Sequence, residues 1–200
     1  MTKPKTPKKQ RIGAAAGIAA PILAFTCILG AIASYPAFSW TNNALSDLGV
    51  VAGITGPLFN FGLYASGVLA LCFAVLGLFF YVDARWVGRV GAAVFAAACV
   101  ALVAIGVFNE SFAGTHYLVS VAFFALAPIA LFVLTCAFVL ARQRGMAVFT
   151  FLIAVIAALP WLLLFAFNYV PNVAVPEFVS GFAVSVWAVA LGRSMLRMRV

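Results

Sequence analysis

Residues 57–108 read PLFNFGLYASGVLALCFAVLGLFFYVDARWVGRVGAAVFAAACVALVAIGVF, two apolar runs parted only by the short polar break VDARWV. A helix rising 1.5 Å per residue crosses a hydrocarbon core of roughly 30 Å in about 20 residues, and each run is of that length. Neither run alternates apolar and polar residues as a membrane strand would. Because lipid offers backbone groups no hydrogen-bond partner, continuous runs of this kind must be helices. The stretch is a transmembrane hairpin with a tight turn.

The same pattern extends in both directions. Spans fall at 12–34, 57–81, 88–108, 117–141, 146–168 and 177–193, with short connectors between them. A chain of 200 residues with 66% hydrophobic and 8% charged residues and a mean hydropathy of +1.19 leaves no room for a soluble domain. The expected fold is all-α: a polytopic six-helix membrane bundle over 12–193, between basic tails at 1–11 and 194–200.

Charge placement tests the helix count. Lys3, Lys5, Lys8, Lys9 and Arg11 precede the first span, Arg85 and Arg89 join the second to the third, Arg142 and Arg144 the fourth to the fifth, and Arg193, Arg197 and Arg199 follow the sixth. With six spans all twelve basic residues fall on one side; with one span fewer they would scatter over both. By the positive-inside bias that side is cytoplasmic, which puts both termini inside the cell membrane. The net charge of +8 then reflects topology and attraction to anionic lipid rather than nucleic acid, since the basic residues do not gather on one folded surface with stacking aromatics. Membrane lipids are the expected partners. The basic start and the AIA at 31–33 have the look of a signal peptide, but the apolar run is longer than an ordinary signal core, so the first span is read as an anchor, with cleavage as the alternative.

Several residues read as structural. Cys27, Cys72, Cys99 and Cys136 fall mid-span and are expected to be small buried packing residues, with no spacing that suggests a metal or a disulfide framework. Pro21, Pro128 and Pro160 interrupt spans and permit kinks. Gly13/Gly17, Gly62/Ser66 and Gly181/Ser185 repeat at four-residue spacing, which lets helices approach closely within the bundle or in a homo-oligomer. Trp40 and Trp86 sit at interfacial depth, while Trp161 and Trp187 lie deeper, against other helices.

The first outer connector is written differently from the rest. Its NNALSDLGVVAGITGP, residues 42–57, interleaves Leu45, Leu48, Val50, Val51 and Ile54 with polar residues, so it should fold back over the bundle mouth or lie on the membrane, apolar side down. Ser46 or Asp47 is placed to cap a short helical turn, Gly49, Gly53 and Gly56 allow close backbone approach, and Asn60 follows one turn into the second span. Asp47, Glu110, Glu177 and the only histidine, His116, all fall at outer helix ends, whereas Asp83 alone of the acids falls inside. Glu177 also complements a helix dipole. Convergence of these groups would make a polar site. Asp47, Glu110 and His116 suit a divalent cation, or His116 suits a general base oriented by a carboxylate. Glu110 and His116, six residues apart, share a site only through a turn. No HExxH, G-x-S-x-G or S-x-x-K motif is present.

SWTNNALSDLG, then GPLFNFGLYASG, then GVFNES with His116, then PEFVSG together resemble the domain-of-unknown-function 998 family of six-helix prokaryotic membrane proteins, over roughly 12–195. The SDLG element is the most specific part. The resemblance points to Ser46, Asp47, Asn60, Glu110, His116 and Glu177 as site residues, with Gly49, Gly56 and Pro57 shaping the connector. Asn109 stands where the family pattern implies proline. The order of an outer Ser-Asp-x-Gly loop and a histidine at the fourth helix is also similar, distantly, to the eukaryotic DRAM-like six-helix proteins. Neither likeness supplies a reaction. The leading expectation is an outer-face site for a lipid head group, small polar ligand or cation. The alternatives are an outer-leaflet lipid-modifying enzyme, hydrolase or transferase, with Asp47, Glu110 and His116 catalytic, and, third, a small transporter.

Overall fold

A computed structural model describes residues 8–82 and 86–197. It contains six helices long and apolar enough to span a membrane: α1 Lys8–Ala33, α2 Thr55–Tyr81, α3 Trp86–Val107, α4 Ala113–Leu140, α5 Arg144–Phe167 and α6 Ala174–Arg197. There is no strand among the described residues. The six expected spans are all present, most of them longer than their apolar runs. α1 is described from Lys8 and α6 to Arg197, so Lys8 to Arg11 and Ser194 to Arg197 are helical turns. Polar residues beyond a hydrocarbon boundary keep their intrahelical hydrogen bonds, so helices outrun their hydropathy. Lys3, Lys5, Asp83, Arg85 and Arg199 lie outside the described residues.

Each helix packs on its neighbours in sequence, and α6 closes the ring against α1. An up-and-down ring of this order puts the 1–2, 3–4 and 5–6 connectors at the end opposite both termini. Where helices approach closely, glycine makes room. A Cβ on Gly13 would stand 2.4 Å from the Gly77 nitrogen, one on Gly62 2.3 Å from the Cys27 Cβ, and one on Gly17 2.5 Å from the Phe73 ring. Gly13, Gly17 and Gly62 are thus used inside the bundle. Gly181 departs from the expected close approach, for a Cβ there would meet nothing within 4 Å. Buried Cys27 and Cys99 fit the packing role and Cys72 is half-buried, but Cys136 is exposed on the outside of the ring.

The centre of the ring is aromatic at mid-depth. Phe73, Phe95 and Trp187 meet with ring centroids 5.2–6.1 Å apart, all three nearly inaccessible. α2 widens into a π turn over Phe73–Leu78, the kind of single-turn irregularity that recurs at functional places. Trp187 donates its Nε1–H to Thr150 Oγ1 at 3.1 Å, and Trp161 donates to Ser180 Oγ at 3.0 Å. Trp187 is buried between helices, as its position implies, Trp161 is only half-buried, and Trp86 and Trp40 are exposed near the two ends.

Candidate functional site

The first connector does fold back over the bundle. Ala44, Leu45 and Leu48 are buried and Leu48 is fully so, whereas Val50 and Ile54 stay exposed, so only half of its apolar residues point down. A 3₁₀ turn forms over Ser46–Val50 with no side-chain cap; one acceptor, Asp47 Oδ2, takes both the Ala44 N–H at 3.0 Å and the Asn43 Nδ2 at 2.7 Å. Asp47 thus ties the turn to the residues just before it. Ser46 does not cap it; its hydroxyl donates instead to Glu110 Oε1 at 2.6 Å, across 64 residues of sequence.

Other long-range bonds seat the turn. The Leu45 N–H donates to Glu177 Oε2 at 2.6 Å, Asn172 Nδ2 donates to the Asn42 carbonyl at 2.9 Å, and the Ala174 N–H donates to the Asn43 carbonyl at 3.2 Å. Glu177 lies in the first turn of α6, as expected, but its carboxylate serves the connector's backbone. Asn60 Nδ2 donates to the Gly49 carbonyl at 2.8 Å and Asn109 Nδ2 reaches the same oxygen at 3.3 Å. A Cβ on Gly49 would meet Asn60 Oδ1 at 2.6 Å, and one on Gly56 would meet the Val51 carbonyl at 2.7 Å, so both positions exclude larger residues. Pro57 stands in the first turn of α2, where an N–H has no intrahelical acceptor to lose.

Glu110 and His116 come together through a turn, as their spacing requires. Glu110–Phe112 forms a 3₁₀ turn capped by Asn109, whose Oδ1 accepts the Ser111 N–H at 3.1 Å. Ala113 then takes φ 35°, a left-handed conformation that costs a residue with a Cβ and redirects the chain into α4. Asn109 itself has φ −67°, a value that proline also adopts, and its side chain supplies the cap. His116, buried, hydrogen-bonds through Nδ1 to the Phe108 carbonyl at 2.7 Å. A carbonyl only accepts, so Nδ1–H donates in this bond, and Nε2 is the ring nitrogen left over, with Ser120 Oγ 3.4 Å away.

These groups line one cavity of about 590 Å³. Ser46, Asp47, Glu110, His116, Asn172 and Glu177 form its polar end, and Tyr117, Val121, Phe124, Trp161 and Phe165 form its apolar end between α4 and α5. No Lys or Arg among the described residues lines the space. Tyr117 and Phe165, which line it, are largely exposed, so the cavity is open beside them. Asn60 is not part of the lining. It positions Gly49, and its buried Oδ1 has no partner. The donors expected to hold a divalent cation are not grouped for one: among the described residues no three His, Cys, Asp or Glu side chains gather as an ion requires.

The profile of the family described as "Protein of unknown function (DUF998)" matches residues 18–194, nearly the whole bundle. The chain belongs to the DUF998 family. No curated protein and no solved structure matches it. The connector, the Glu110 turn and α6 all lie inside the region matched to DUF998. Linear reading had missed the apolar half of the cavity. Ser120, Phe124, Trp161 and Phe165 look like ordinary span residues, and only the ring order of the helices turns them toward one space.

Proposed function

We propose that this DUF998 protein binds a membrane lipid at the end of the bundle opposite its termini, holding the head group at Asp47, Glu110, His116 and Glu177. The observation that carries this reading is the division of a single cavity into a polar end and an apolar end open beside Tyr117 and Phe165. A soluble metabolite has no use for the apolar half, and a bare ion has no use for the volume. A lipid satisfies both. By the positive-inside bias this end faces away from the cytoplasm, which assigns the outer leaflet. The polar end offers three carboxyl groups and His116 Nε2 but no Lys or Arg, so its chemistry suits a head group that brings hydrogen-bond donors or positive charge, such as a primary amine. Phe124 and Trp161, 4.7 Å apart between centroids, place aromatic rings beside it.

Native mass spectrometry of the detergent-purified protein beside its Asp47→Asn, Glu110→Gln double variant tests this. A lipid adduct of defined mass on the unmodified protein, lost in the variant, is expected. Equal adducts on both would remove the polar end from the reading, and absence of any adduct would count against lipid altogether.

A second reading rests on His116. Its Nδ1–H is donated to Phe108, which leaves Nε2 as the nitrogen to act as a base in hydrolysis or transfer on the bound lipid. Cells carrying Asp47→Asn and His116→Ala should then accumulate a lipid that the unmodified protein consumes; unchanged lipid composition would count strongly against catalysis.

A further inference from the structure

The head-group cavity is not the end of the space inside the ring. A second void of about 90 Å³ shares Ser46, Ser120, Phe124 and Glu177 with it, and so begins at its wall. A third, of about 60 Å³, shares Ala24, Ser66, Leu102, Phe123, Gly181 and Ser185 with the second. The three follow one another down the ring axis. Along α6 the line runs from Glu177 to Ala188, a descent of about 16 Å at the helical rise, which is half the hydrocarbon thickness. It ends on the cluster of Phe73, Phe95 and Trp187, of which Phe73 and Phe95 line the third void.

Below its mouth the lining is aliphatic and aromatic, with serines the only polar residues. The Ser66 hydroxyl is already spent on the Leu63 carbonyl of its own helix. Voids of this total size with such walls stay dry and take apolar guests. Gly181, which is half-buried and lines both inner voids, has room beside it: Gly17 and Gly62 are crowded by side chains across the helix interface, whereas a Cβ on Gly181 meets nothing.

We propose that this passage receives one hydrocarbon chain of the lipid whose head group sits at Asp47, Glu110 and Glu177, and that the Phe73, Phe95 and Trp187 cluster sets the greatest chain length accepted. The inference rests on the lipid-binding reading above and adds a selectivity to it. A single chain fits because the voids are narrow and lie in file; a second chain of the same lipid has the opening beside Tyr117 and Phe165. The π turn has a place in this account, since Phe73 at its start is both a wall of the third void and a part of the floor.

The test is competition. The full-length protein, stripped of co-purified lipid in detergent, is given an equimolar mixture of lysophosphatidylethanolamines with saturated chains from octanoyl to stearoyl, and the bound species are read by native mass spectrometry. The unmodified protein should retain a distribution cut off on the long side. Gly181→Leu, which fills the passage without touching backbone, should move the cut-off to shorter chains and lower the bound share of the previously longest one about tenfold, a factor at the low end of what overpacking costs. Phe95→Leu, which lowers the floor, should move it to longer chains, so the proposal does not depend on one variant folding. Binding of all lengths alike in all three proteins would overturn the passage while leaving the head-group site intact, provided Asp47→Asn, Glu110→Gln still loses every probe. No probe bound to the unmodified protein would overturn the amine-lipid reading and the passage with it.

Discussion

The two ends of this bundle are held by different means. At the end opposite the termini, the first connector is tied to α2, to the Glu110 turn and to the start of α6 by bonds from Asn60, Ser46, Leu45 and Asn172, spanning up to 132 residues of sequence. Toward the termini, cross-helix side-chain bonds among the described residues are Tyr81 to Ser194 and, deeper, Trp187 to Thr150, and what fits the helices together is glycine against backbone at Gly13 and Gly77. Polar ties position groups to a few tenths of an ångström and leave a space between them, while close apolar packing fills space. A site belongs where the chain has been positioned without being filled, and the 590 Å³ cavity lies at that end.

The contrast can be broken most severely from the packed side. Trp187→Ala removes the largest fully buried side chain and should lower stability by about 3–5 kcal/mol, read as a fall in the thermal midpoint in detergent. A small effect there would mean that the polar ties, and not the aromatic centre, hold the ring. On the polar side, Glu177→Ala strands the buried Leu45 N–H and should cost about 1–3 kcal/mol, whereas Glu177→Gln keeps an acceptor and should recover most of it. If Gln is as damaging as Ala, the charge and not the hydrogen bond is what the connector needs.

Gly49→Ala sharpens the comparison further, because its new Cβ meets Asn60 Oδ1 at 2.6 Å. The substitution should destabilise the native protein and cost less in an Asn60→Ala background, with a coupling of about 0.5–2 kcal/mol in a double-mutant cycle. Additive effects would place the two residues out of contact. The smallest effect is expected at Gly53, which has φ +80° but open space around it, so Gly53→Ala should cost only about 1 kcal/mol of backbone strain. A loss several times larger would show that the exposed crest of the connector carries more than its conformation.

Much of this was legible in the residues. A short helical turn at SDLG was readable, though neither Ser46 nor Asp47 caps it and Asp47 instead bonds back to Asn43 and Ala44, and the need for a turn between Glu110 and His116 followed from their spacing. The convergence of Ser46, Glu110 and Glu177 on one cavity was not, because residues 64 and 132 positions apart meet only after the ring closes. Asn60 shows the limit from the other direction. A lone amide one turn into an apolar helix reads as a ligand, yet it serves Gly49 and stays out of the cavity.

The sequence alone determined that the chain is six membrane helices with its termini at the same end, since hydropathy and the sidedness of charge act locally and add along the chain. Local chemistry also set the turns that flank the site. Only the tertiary structure decided that polar groups from three distant segments share one space, that the same space has an apolar half, and that Gly181 borders a void instead of a neighbour. The physical reason is that hydropathy records whether a side chain can lie in lipid, whereas ring order and the approach distances between helices decide which side chains meet and which leave room.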